Sequence, residues 1–199
     1  MLRELLTLNV DEYTLLKVLY FASQKLTISY EEIAEIIGEE NIENFLLTAE
    51  ENRLLVPVAS SRSTAWKDKL LLIKPGEKYR MPNIIKILIK NLCEKGGWNT
   101  NYAIATYFKQ IGEPRWEDMP NFYKKLSQKA KNNKVSAKDI REIARQFNME
   151  EKTGALIAEL KGGGLISPFL SLTPRNKFPI YEINPCVKEI HSSKVILGS

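Results

Sequence analysis

Thr27-Ile28-Ser29-Tyr30-Glu31-Glu32-Ile33-Ala34-Glu35-Ile36-Ile37-Gly38 opens with a helix start. Ser29 and Glu32 have the S-x-x-E spacing of a capping box, in which each side chain takes up the other residue's free amide. Ile33, Ile36 and Ile37 fall on one helical face, and Gly38 supplies a stop. The same signals return in Val135-Ser136-Ala137-Lys138-Asp139-Ile140-Arg141-Glu142-Ile143-Ala144-Arg145-Gln146-Phe147. Ser136 with Asp139 repeats the cap, and Ile140, Ile143 and Ala144 repeat the apolar face. A unit present twice decides how the rest of the chain is read.

Downstream of each copy the order of signals is shared. After Gly38, residues 42–52 are predicted helical, with Ile42, Phe45, Leu46 and Ala49 inward, and 54–58 form a strand. In the second copy Asn148 caps a predicted helix over 149–161, Gly162-Gly163-Gly164 ends it, and 165–170 form a strand. A polar, basic stretch follows in each copy, at 60–69 and at 173–179. Return strands are predicted at 70–73 and 180–183, running into Pro75 and Pro185. Ahead of the first copy, residues 11–23 form a helix with Asn9-x-x-Glu12 as its cap.

Helix, turn, helix, strand, basic loop, strand resembles the winged helix-turn-helix superfamily, present twice in tandem over residues 9–81 and 120–187. The resemblance implies a mainly α fold with small β: two winged-helix (α+β) units joined by a helical segment. The expected organisation is a first unit over 1–81, a second over 82–187 with a helical insertion at 82–119, and a tail at 188–199. Between the copies, helices are predicted at 83–95, 100–110 and 121–131. Either 83–95 or 121–131 can serve as the first helix of the second unit. The former is preferred, because Ile84, Ile85, Ile87, Leu88, Ile89 and Leu92 need a core or a partner.

Composition narrows the function. The 199 residues are 44% hydrophobic and 27% charged, as in an ordinary globular chain. Two cysteines and one histidine argue against a disulfide scaffold, a metal site and a cofactor requirement. The apolar run 84–92 is broken by Lys86 and Lys90, and the N-terminus lacks a signal-peptide core, so no membrane partner and a cytoplasmic location are expected. Catalysis is not expected either. The glycine run lacks the Gly-Lys-Ser/Thr of a phosphate loop, His191 lies in the C-terminal tail outside any catalytic carboxylate or serine constellation, and Cys93 reads as core.

The net charge of +5 hides an asymmetry: residues 1–60 carry four bases against eleven acids, and residues 61–199 the other 25 bases against 13 acids. The resemblance implies double-stranded DNA as partner and a transcriptional regulator as function, with bases neutralising phosphates. Candidate contacts in the first basic loop are Arg62, Lys67 and Lys69 around Trp66; in the second they are Arg175 and Lys177 beside Phe178. The lysine-rich stretch 121–134 adds Lys124, Lys125 and Lys129. Lys138, Arg141 and Arg145 line the polar side of the second unit's capped helix. Lys152 and Thr153 open the next helix, opposed by Glu150 and Glu151. A homodimer is expected for a reader of paired half-sites, with 83–95 as the dimer element. Glu39, Glu40, Glu43, Glu50 and Glu51 repel phosphate and point to a protein partner instead. Tandem winged helices also resemble assembly adaptors, the alternative reading, and plasmid replication initiators or RNA binders, the third.

Overall fold

The computed structural model describes residues 11–58, 65–66, 71–169 and 178–188. It is mainly α-helical with two small antiparallel sheets. Compactness separates two units. Residues 11–58 and 71–98 make the first, and residues 99–169 and 178–188, with Ala65 and Trp66, make the second. None of the described helices is long and apolar enough to cross a membrane.

The first unit opens with α1 (Glu12–Gln24), capped by Asp11, whose carboxylate accepts from the Thr14 amide at 2.9 Å. A short strand, β1 (Ile28–Ser29), leads straight into α2 (Tyr30–Ile37). The expected capping box is present: the Ser29 amide donates to Glu32 at 2.9 Å and the Glu32 amide to Ser29 Oγ at 3.3 Å. Gly38, at φ 85°, turns the chain into α3 (Glu39–Glu51). Two further strands, β2 (Val56–Pro57) and β3 (Lys78–Arg80), complete the sheet in the order β1-β3-β2, with Ile28 opposite Tyr79 and Val56 opposite Arg80. The unit closes with α4 (Asn83–Lys95), which packs on α1. Leu15, Leu19, Phe45, Tyr79, Ile84 and Leu88 are among its fully buried side chains.

Several expectations fail here. The return strand lies at Lys78–Arg80 and not at 70–73, where residues 71–73 are irregular. Lys78 and Arg80 face outward while Tyr79 is buried, the period-two pattern of a half-buried strand, whereas a run of aliphatics has no period to place it. The proline that follows the return strand is therefore Pro82, so Pro82 and not Pro75 is the counterpart of Pro185. It follows that 83–95 does not open the second unit. Its Ile84, Ile85, Leu88, Ile89 and Leu92 are buried, and the division falls after Trp98 rather than at Met81-Pro82. An apolar stripe already packed on α1 is not a free dimer face. Cys93, expected in the core, is exposed on the outer side of this helix.

The second unit begins with α5 (Thr100–Gln110) and α6 (Met119–Lys129). Asn132 and Asn133, both left-handed at φ 49° and 58°, then make a tight reversal between Lys131 and Lys134. The strand β4 (Lys134–Ser136) enters α7 (Ala137–Gln146) through the second capping box, with the Ser136 amide donating to Asp139 at 3.0 Å and the Asp139 amide to Ser136 Oγ at 3.1 Å. A 3-10 turn (Glu150–Lys152) precedes α8 (Thr153–Gly163), so the expected helix 149–161 starts late. Asn148 adopts φ 55° and ends the preceding turn instead of capping the next helix. Of the glycine run only Gly164 is left-handed and stops the helix. β5 (Ile166–Phe169) and β6 (Ile180–Ile183) join β4 in the order β4-β6-β5, and α9 (Pro185–Lys188) follows. The helix preceding β4 is thus α6, the competing assignment, and it packs on α7. From α1 in the first unit and from α6 in the second, the order is therefore helix, strand, helix, helix, strand, strand, helix, with the last strand central in its sheet; the second unit has α5 as an additional helix ahead of that run.

Candidate nucleic-acid interface

A basic surface lies on two helices of the second unit. In α6, Phe122, Tyr123, Leu126 and Ser127 are buried, which leaves Lys124, Lys125 and Lys129 outside. In α7, Ile140, Ile143 and Ala144 face the core, which leaves Lys138, Arg141 and Arg145 exposed. The lysines of α6 meet α7 along a seam. Lys125 donates to Gln146 Oε1 at 2.8 Å, and its ammonium lies 5.2 Å from the Phe147 ring centre. Lys129 reaches Glu142 at 3.4 Å and Asp139 at 3.8 Å, and Lys138 reaches Glu142 at 3.8 Å. Six bases on this surface face three acids, Asp139, Glu142 and Glu150, so a positive excess remains. Lysine ammonium groups in such exposed pairs exchange readily with a phosphate oxygen.

The two arginines are held differently. Arg141 Nε donates to Glu150 Oε1 at 3.0 Å. Arg145 grips the same carboxylate at both oxygens, Nε to Oε2 at 2.7 Å and Nη2 to Oε1 at 2.8 Å. The Arg145 hydrogen bonds, with Arg141 beside them, hold the Glu150 carboxyl down to about 2. Sequence spacing set Glu150 against Lys152; its partners are instead two residues on the preceding helix. The i,i+4 spacing of Arg141 and Arg145 was the available signal, since it places two guanidiniums on one face.

Lys152 and Thr153 carry less than expected. Lys152 lies 4.0 Å from Glu113, a carboxylate only 5% exposed whose Oε1 also accepts from the Arg115 amide at 3.0 Å. The Thr153 hydroxyl donates to the Glu150 carbonyl and is taken up by the helix start. The exposed residues of α8 are Gly154, Ala155, Ala158, Lys161 and Gly162, which offer one long polar side chain for reading a base edge. Glu159 sits half-buried on this helix, its Oε2 without a hydrogen-bond partner, and burial together with Glu113 pushes its carboxyl up while Lys152 pulls it down.

Trp66 is the clear correction in the first basic loop. It is 6% exposed, and its backbone amide donates to Ser167 Oγ at 2.8 Å. A side chain so covered cannot stack on a base, because the indole already fills a packed site. Arg62, Lys67, Lys69, Arg175 and Lys177 lie outside the described residues, as does His191. Phe178, at the return of the second basic loop, is exposed. In the first unit, Glu39, Glu40, Glu43 and Glu51 are exposed on α3 together with Leu47. Among the described residues no cluster of three or more metal-ligating side chains occurs.

No curated protein and no solved structure matches the chain. A protein-family model does match, over residues 1–194, and the chain belongs to that family.

Proposed function

We propose that the chain is a tandem winged-helix protein that binds double-stranded DNA through phosphate contacts of its second unit, in the role of a transcriptional regulator. The observation that carries this reading is the lysine seam of α6 and α7, set on a unit whose strand order places the last strand between the other two. That order supports the winged-helix reading, as does the basic stretch of sequence that joins the second and third strands of each unit. Lys124, Lys125, Lys129 and Lys138 supply non-specific attraction. The small residues along α8 leave little for direct base readout, so affinity exceeds sequence discrimination. The test is fluorescence anisotropy of a random duplex of about 30 base pairs across a salt series. Micromolar binding that weakens steeply with salt supports the reading; absence of binding at low salt rejects it.

A second reading has its own support. The exposed α3 face combines four glutamates with Leu47, a surface that repels phosphate and suits a basic protein partner. Under this reading the chain is an adaptor. A complex that survives nuclease treatment and is lost in Leu47→Asp would favour it.

A further inference from the structure

We propose that Glu150 masks a phosphate seat: its carboxylate occupies, on Arg141 and Arg145, the place of a nucleic-acid phosphate, and so sets how tightly this face holds a duplex. The inference rests on the duplex-binding reading above. Two guanidiniums one helical turn apart converge on a single anion from a different element. The paired contacts of Arg145 to both oxygens are the fork with which arginine takes carboxylate and phosphate alike. Both arginines stay largely in solvent, with side chains 65% and 67% exposed, so an outside anion can reach them. The other acids of the seam are engaged elsewhere, Glu142 with Lys129 and Lys138, and Asp139 in the capping box and near Lys129.

The repeat sharpens the argument. At the same distances from Ser29 as Lys138, Arg141 and Arg145 stand from Ser136, the first unit has Glu31, Ala34 and Gly38. The caps are alike, and the seat exists on one unit alone. The low Glu150 carboxyl means that mild acid does not release the arginines; a competing anion does.

The test is a cycle of three variants of the full chain, Glu150→Gln, Arg141→Gln with Arg145→Gln, and all three together, titrated against the random duplex. Circular dichroism first establishes that each is folded; should Glu150→Gln not fold, Glu150→Ala replaces it. The expected result is that Glu150→Gln binds about five- to tenfold tighter and steepens the salt slope by about 0.9, one added phosphate contact. The arginine pair should cost little in the native background, and in the triple variant it should abolish the gain that Glu150→Gln produces by itself. If the native protein binds duplex and Glu150→Gln is unchanged or weaker, the mask is overturned and the duplex reading stands. A gain that persists without the arginines, or that leaves the salt slope unmoved, also overturns it. If neither native protein nor Glu150→Gln binds at low salt, both fall. Binding by Glu150→Gln alone supports the mask and shows it to be complete.

Discussion

A Cβ built on Gly163 would stand 2.7 Å from Cε1 of Tyr107, so the Tyr107 ring occupies the space a side chain there would need. The Tyr107 hydroxyl donates to the Glu159 carbonyl at 2.9 Å on the same helix, which fixes the ring against α8. Burial pushes the Tyr107 phenol up to about 12, so it remains a donor at any ordinary pH. Gly163→Ala should destabilise the protein by about 1–3 kcal/mol, the usual range for overpacking. Gly154→Ala, where no atom beyond its chain neighbours and its own helix backbone lies within 4 Å of the added carbon, should instead stabilise by about 0.4–1 kcal/mol. Urea denaturation of both variants checks the opposite signs.

Trp66→Ala should lower stability by about 3–5 kcal/mol, as for other truncated buried aromatics. The burial of the indole makes this a packing loss. If Trp66 were an exposed stacking residue, the same change would leave the urea midpoint where it was and alter only ligand affinity.

Ser29→Ala and Ser136→Ala should each cost about 1 kcal/mol, since each hydroxyl accepts the amide three residues on. Ser136 Oγ also donates to Asp139 Oδ2 at 2.6 Å, so its loss should be the larger of the two. Thermal melts of the two single variants and the double variant check whether the effects add.

Glu159→Gln should be more stable than the native protein at neutral pH. Burial and Glu113 raise the Glu159 carboxyl in the folded state, against the opposing pull of Lys152. The folded chain therefore binds this proton more strongly than the unfolded chain does. Stability falls as pH rises from the ordinary carboxyl value through the raised one. The neutral amide removes that loss, so its advantage should shrink on acidification and vanish where Glu159 is protonated in both states. Melts of the two proteins from acid to neutral pH read this difference.

Local chemistry is legible in the sequence wherever one residue type has one use. Both capping boxes stand where their spacing puts them, and the helices Asn83–Lys95 and Thr100–Gln110 match their expected bounds. The strands β1 and β4 escape such a reading, because two or three residues leading into a capped helix have no period of their own. The run 70–73 misleads for the opposite reason: unbroken aliphatics satisfy helix, strand and loop core alike. At the candidate site the exposed bases of α6 and α7 follow from helical spacing. The burial of Trp66 and the sharing of Glu150 by two arginines do not, since both depend on where other elements place a surface or an anion.

The central position of the last strand sets synthesis against assembly. β4 and β5 leave the ribosome before β6 and do not pair with each other, so the second sheet has no ladder until Ile180–Ile183 arrive. The first sheet waits in the same way for Lys78–Arg80. Contacts so distant in sequence form slowly, and a nascent chain stalled after Phe169 carries two strands with every backbone edge open. Premature truncation within the second unit should therefore yield an aggregating fragment, while a stop beyond the last strand should not.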